Sequence, residues 1–464
     1  MPTLAFRSDD PLVLWPAVPD RVGSYYAALQ YQLEQSQWWS PDQLLARQFE
    51  QLDALASHAY RTVPYYRERL AAAGYTPETP LTPQTWVRLP ILSRAELQQA
   101  DKALNSNAIP PSHGDSGPTS SSGSTGKPVT VLKTRAANLI WQAITLRDHL
   151  WHGRDFMRPL CLIRKTESFH AADRGRSSHY PTGITWPSWG GGASRILHTG
   201  PSAALHIHTP IELQVEWLER QQPGTLVTYP TNLLELVKFC RDQDIRFPTL
   251  HSLSTLGELV TPELRRLCRD SWGLAVQDMY SAVETGYLAL QCPLHDHYHL
   301  QSEAALVEIL DDDGRACRAG ETGHVVVTPL HNFATPLLRY AVGDFAEVGD
   351  ACPCGRGLPV ITRVLGRSRN MLVLPSGQRI WPLLEVHELT AIAPFRQFQL
   401  VQRSVTALEL RLVLERPLNI AEEEGMRQAL RRRWGGGFAV ALSYHEALAR
   451  DPSGKFEDFK SEVA

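Results

Sequence analysis

No apolar run among the 464 residues approaches the roughly eighteen needed to cross a bilayer as a helix. Excess charge of either sign is also missing: Lys and Arg number 46 and Asp and Glu 49, a formal net charge of −3 with neutral histidines. That balance offers no general attraction to nucleic acid or to an anionic membrane, so neither is expected as a partner. The opening, MPTLAFRSDDPLVLWP, lacks the basic-then-apolar order of a signal peptide, because Asp9 and Asp10 interrupt it. A soluble cytoplasmic protein is the expectation. Cysteine is scarce and odd in number, seven in all, which does not read as a disulfide framework. Cys161, Cys240, Cys268 and Cys317 stand alone in apolar or mixed stretches and read as buried thiols.

What is present is the composition of an ordinary globular chain, 43% hydrophobic and 20% charged. Its length suits about three domains or two unequal ones. From Leu44 to Gly74 apolar residues recur at helical spacing, broken at Pro64, which predicts two helices with a joint. A further helix is expected from Ser93. Residues 105 to 128 form a polar stretch of Ser, Gly and Pro, and Trp186 to Ser194 a second loop with three consecutive glycines. Thr225–Tyr229 reads as a buried strand, Thr231–Asp244 as a helix, and Thr261-Pro262-Glu263 as a helix start. Ala275–Tyr280 supplies the next strand. This alternation predicts an α/β fold: a large N-terminal domain of mixed or parallel sheets with flanking helices. After Gly366 the pattern changes to short strands (Met371–Leu374, Gln397–Gln402, Leu408–Leu414, Phe438–Ser443) around a basic helix, Ala421–Trp434. A small mobile α+β C-terminal domain is expected there, dividing the chain into residues 1–365 and 366–464.

The sharpest motif is Ser120-Ser121-Ser122-Gly123-Ser124-Thr125-Gly126-Lys127-Pro128. Its hydroxyls and glycines could wrap a polyanion with backbone N–H groups, Lys127 adding charge. It is not a Walker A loop, which needs glycine where Ser121 stands and Ser or Thr where Pro128 stands. A flexible linker is the competing reading. Four more segments follow: Tyr280-Ser281-Ala282-Val283-Glu284, Arg339-Tyr340-Ala341-Val342-Gly343-Asp344, Gly366-Arg367, and Pro452-Ser453-Gly454-Lys455. Singly each has a dull explanation: a helix-cap acid, a turn, a surface charge, a frayed tail. Order and spacing carry the signal.

Together with AYRTVPYYRERLAAAG near the start, TPLLRYAVGD, CPCGR and GRSRNML, that order resembles the adenylate-forming superfamily of acyl- and aryl-CoA ligases, phenylacetate-CoA ligase-like branch. The likeness spans about residues 45 to 455. It implies that a carboxylic acid, of the aromatic class, reacts with ATP to give an acyl-adenylate and pyrophosphate. A thiol, with coenzyme A the first choice, then displaces AMP. By the same resemblance Ser122, Gly123, Ser124, Thr125, Gly126 and Lys127 would hold the β- and γ-phosphates, and Glu284 would bind Mg²⁺. Tyr280 would lie against the adenine, and Asp344 would accept from the ribose hydroxyls with Arg367 nearby. Gly257-Glu258 would line the adenine and acyl pockets. Lys455 would reach the α-phosphate and carboxylate oxygens during adenylation only.

Two departures from the family pattern stand out. Ser281 and Val283 replace a glycine and a hydroxyl residue, and Arg369 occupies a hinge position that is often acidic. The acceptor is therefore open between coenzyme A, an amine and a carrier-protein thiol, and a catalytically idle ligand-binding member is the alternative outside the ligase class. A homodimer is left open as well. The remaining cysteines suggest a metal: Cys352-Pro353-Cys354 puts two thiols on one turn, and Cys292 opens CPLHDHYH. The resemblance implies a structural Zn²⁺ on Cys292, His299, Cys352 and Cys354, with His295 and His297 as rivals for the imidazole. Trp186, Trp189 and Gly190–Gly192 are weaker candidates for the acyl pocket, and Arg431-Arg432-Arg433 reads as a solvated helix face.

Overall fold

The computed structural model describes residues 4–120, 128–165, 178–367, 370–382, 386–434, 437–451 and 454–463. Ser122, Gly123, Ser124, Thr125, Gly126 and Lys127, the expected phosphate-binding residues, lie outside them, as does Arg369.

Local chemistry sets the first helices. Ser40 caps Pro41–Thr62 through a reciprocal pair with Gln43, with Pro41 in the first turn. Its apolar stripe buries Leu44, Leu52, Leu55, Ala56 and Ala59. Val63 is extended, as a residue before proline prefers, and Pro64–Ala72 starts anew. Ser93 caps Arg94–Ala100 in the same way with Glu96.

Among the described residues the central sheet has twelve strands, and it divides into halves. Ser202–His206, Leu160–Arg164, Thr225–Thr228, Ser252–Leu256 and Val276–Ala282 run parallel, in that spatial order. Ile211–Gln221, Pro230–Asp242 and Pro262–Trp272 are the intervening helices, packing Trp217, Leu236, Val237 and Leu264 into one core with Leu226 and Leu253. From Val276–Ala282 the sheet turns antiparallel through Gly286–Gln291, Tyr298–Leu300, Val360–Arg367, Tyr340–Val348, Thr322–Pro329 and Ala305–Leu310. The Pro41–Thr62 and Pro64–Ala72 helices bury their stripe against this half.

Ser116–Ser120 and Thr130–Thr134 pair antiparallel, with Ser120 opposite Thr130. They bracket the Ser/Gly motif and feed directly into the helix Arg135–Trp151, capped by Thr134. The C-terminal elements form a separate four-stranded sheet, Ala439–Tyr444, Ala407–Leu414, Phe395–Ser404 and Phe459–Ser461, covered by Ile420–Trp434. The α/β class with a large mixed sheet and a smaller C-terminal sheet is thus the one expected.

The alternation rule placed Thr225–Tyr229, Thr231–Asp244, the helix start at Thr261 and Ala275–Tyr280 within a few residues of the observed elements, and did not name the strands Leu160–Arg164, Ser202–His206 and Ser252–Leu256. It missed the antiparallel strands from Gly286 to Arg367. Asp344, read singly as a turn residue, lies inside the strand Tyr340–Val348, where Gly343 takes a positive φ of 88°.

Candidate active site

Residues from four distant segments converge at the C-terminal ends of the parallel strands. Val276–Ala282 carries Tyr280, and Tyr340–Val348 carries Asp344; the Tyr280 hydroxyl donates to Asp344 Oδ2 at 2.8 Å. Strand register puts Arg367 opposite Asp344, with Nε 3.6 Å from Oδ1. Burial pushes the Asp344 carboxyl up, and Arg367, Tyr280 and Lys455 oppose it. Burial, with Asp344 beside it, holds the Tyr280 phenol well above its ordinary value.

Lys455 arrives from the C-terminal sheet's side. A Cβ on Gly257 would stand 2.9 Å from Lys455 Cε and 3.2 Å from Nζ, so the lysine lies along the Gly257 backbone, held at φ +77°. Gly454, also at positive φ, is seated against Ile207 and Tyr229. The lysine's backbone is fixed by a tight turn in which Lys455 N donates to Asp451 Oδ1 at 3.0 Å.

Glu258, expected with Gly257 to line the adenine and acyl pockets, also contacts the C-terminal segment. Buried, it accepts from Thr231 N and Oγ1 at 3.0 and 2.7 Å and from Phe456 N at 2.6 Å. Arg450 stands 3.5 Å away and also donates to Thr231 Oγ1 at 2.8 Å. Gln397 donates to Glu235 at 2.8 Å close by. Glu258 therefore clamps the C-terminal segment that delivers Lys455.

Glu284 is buried. Arg94 Nη1 and the Tyr340 hydroxyl reach its Oε1 at 3.2 and 3.3 Å. Oε2 has no hydrogen-bond partner among the described residues, and a carboxylate oxygen left over suits a hard divalent cation.

No family model matches the chain. Curated relatives do: a phenylacetate-coenzyme A ligase of Pseudomonas putida is 26% identical, over 77% of this chain and 78% of its own length. The enzyme of that name from Thermus thermophilus is 26% identical over 81% and 82%. In fold, a 2-hydroxyisobutyryl-CoA ligase with a bound acyl-AMP superposes with a TM-score of 0.70, covering 92% of each chain at 18% identity. An anthranilate-CoA ligase gives 0.53, over 74% of this chain and 66% of its own, at 17% identity. The chain is thus similar over most of its length to phenylacetate-CoA ligases, and its fold is that of these CoA ligases.

The metal candidate of this enzyme lies on the antiparallel half. One donor atom each from Cys292, His297, His299 and Cys352 fall within 4.8 Å of one another. Cys292 and Cys352 Sγ are 3.8 Å apart, and Cys354 Sγ is 3.4 Å from His299 Nε2. His299 Nδ1 faces the Leu358 carbonyl at 3.3 Å, the contact that orients a ligating imidazole through its other nitrogen. The Leu294 and Cys354 N–H groups point at Cys292 and Cys352 Sγ. Burial pushes the Cys354 thiol up, but the Arg356 N–H, Cys352 and the Arg356 side chain hold it below its ordinary value. His297 and Cys354 thus compete for one position, Nε2 of His297 being buried without a partner. His295 stacks on His297, centroids 5.2 Å apart.

Residues that motif reading missed include Arg94, Thr231 and Arg450. Arg94 follows a helix cap 190 residues before Glu284, and only the fold brings the two together. Trp189, a weak pocket candidate, instead packs on His149 and Phe156.

Proposed function

We propose that the enzyme activates a carboxylic acid of the aromatic class as its acyl-adenylate, releases pyrophosphate, and passes the acyl group to the thiol of coenzyme A. The observation that carries this reading is Lys455 laid over Gly257 beside Asp344, Tyr280 and Arg367. A cation and a hydrogen-bonding carboxylate meet there on the strand ends where ligands of open α/β sheets bind. The curated relatives named as phenylacetate-CoA ligases support the acid class and the acceptor.

In this mechanism Asp344 accepts from the ribose hydroxyls, Tyr280 packs beside the base, and Lys455 neutralises charge on the α-phosphate as the acid carboxylate attacks in line. The work is placement and charge compensation. Glu284, oriented by Arg94 and Tyr340, would hold Mg²⁺, which supplies charge neutralisation on the phosphates. Ser122 to Lys127 contact the β- and γ-phosphates in this proposal. The Arg450–Glu258–Thr231 clamp holds the C-terminal segment, residues 366–464 with the division after Leu365, for adenylation. Its release lets that segment rotate and bring the thiol in. Cys292, His299 and Cys352, with Cys354 or His297, would hold a Zn²⁺, which would supply a structural link between the Tyr298–Leu300 strand and the Cys352–Gly355 turn.

Acid-dependent release of pyrophosphate from ATP, followed by coenzyme A-dependent thioester formation, tests the proposal. ATP turnover that needs no acid, or none with any acid together with no ATP binding, contradicts it.

A further inference from the structure

Where the C-terminal segment closes on the large domain, acids outnumber bases. The helix Pro230–Asp242 brings Glu235 and Lys238, the helix Pro262–Trp272 brings Glu263, and Glu258 follows the strand Ser252–Leu256. The C-terminal segment itself brings Arg450 and Asp458. Both cations are already engaged. Lys238 Nζ stands 3.1 Å from Glu263 Oε1. Arg450 is shared between Glu258 and Glu235, at 3.5 and 3.8 Å. Asp458 is the carboxyl left over: among the described residues it pairs with no cation. Its backbone is held in place, since its carbonyl accepts from Leu400 N at 2.8 Å at the start of the strand Phe459–Ser461.

Closing the segment therefore adds an unpaired carboxylate to a cluster that already carries negative charge and is partly shut off from water. Protonation is the least costly relief. Burial raises the Glu235 and Glu258 carboxyls as well, opposed first by Arg450 in each. We propose that the closed arrangement of the C-terminal segment takes up a proton on Asp458 and returns it when the segment swings out, so that pH sets the partition between the two arrangements. Swung out, Asp458 is an ordinary carboxyl near about 3.9. Closed, it is pushed up to about 7 by burial, then by Glu258 and Glu263, against Lys238 and Arg450. Between those values closing binds a proton, so falling pH favours the closed arrangement; above them neither arrangement holds the proton and the full repulsion is felt. That the closed arrangement is the adenylating one rests on the function proposed above, whereas the proton linkage does not.

The test is fluorescence energy transfer in the full chain between dyes on non-natural residues at positions 244 and 415, both exposed. Wild type, Asp458→Asn and Glu263→Gln are compared from pH 6 to pH 8, with melting curves as a check on folding. The closed-to-open ratio of wild type is expected to be about tenfold higher at pH 6 than at pH 8. Asp458→Asn should give a ratio that no longer varies with pH. Glu263→Gln removes one repelling charge and leaves Lys238 free to face Asp458, so its transition should move to lower pH. A wild-type ratio that does not change with pH, or the same change in Asp458→Asn, overturns the inference. Should Asp458→Asn fail to fold, Glu263→Gln decides, and an unmoved transition overturns it. Pyrophosphate release separates the two readings: a pH-linked closure without acid-dependent release contradicts adenylation and leaves the linkage standing.

Discussion

Lys455 of the C-terminal segment lies along the backbone of Gly257, its Cε 2.9 Å from where a Cβ would stand. The contact joins the end of a parallel strand to a residue almost two hundred positions later. It requires a glycine twice, for the positive φ and for the space.

Gly257→Ala should therefore act on one half-reaction. A side chain at φ +77° costs about 1–2 kcal/mol of stability. Displacement of the lysine should lower acid-dependent pyrophosphate release by about a hundredfold. Conversion of a supplied acyl-adenylate to thioester should fall far less. Equal losses in the two assays contradict the placement of Lys455 over this glycine as the adenylating geometry.

Lys455→Ala removes the charge itself. Adenylate formation is expected to drop by about 10²–10³-fold, the usual scale for deleting a preorganised electrostatic contact. Thioester formation from supplied adenylate should stay within a few-fold of wild type. A variant that loses both assigns the lysine to a shared structural role.

Asp458 sits beside the clamp that holds this segment. Burial, then Glu258 and Glu263, push its carboxyl up to about 7, with Lys238 and Arg450 opposing. The folded chain keeps this proton to higher pH than the unfolded chain, so the group's stabilising contribution is present at low pH and is lost as pH rises through about 7. Asp458→Asn mimics the protonated form. Its melting temperature should exceed that of wild type at pH 8 and approach it at pH 5. A difference that is the same at both values rejects the raised carboxyl.

The cysteine–histidine cluster makes a prediction about metal. His299→Ala should abolish bound zinc by elemental analysis and lower the melting temperature by several degrees, with turnover per folded molecule nearly unchanged. Cys354→Ser and His297→Ala then resolve the contested position, since only the true ligand's loss lowers zinc affinity strongly. Full zinc occupancy in His299→Ala removes that histidine from the set.

The parallel half of the sheet was legible in part, as at Thr225–Thr228 and Pro230–Asp242, where a short buried strand runs into a helix with proline in its first turn. The antiparallel half was not, because Tyr298–Leu300 is only three residues long, is buried throughout, and joins Gly286–Gln291 to the distant Val360–Arg367. The same holds within the site. Tyr280, Asp344, Arg367 and Lys455 stand in motifs whose order survives in the sequence, and the structure brings them together. Glu258 belongs to a motif, yet its neighbours come from two places that only folding unites, Thr231 from one and Arg450 and Phe456 from the other.

The most direct test of the central claim is pyrophosphate release from ATP and Mg²⁺ across a panel of aryl and aliphatic acids, with and without coenzyme A. Release that requires a particular acid, and a thioester that appears only when coenzyme A is added, is the expected result. Absence of acid-dependent release across the panel, in a protein that also fails to bind ATP, would contradict it.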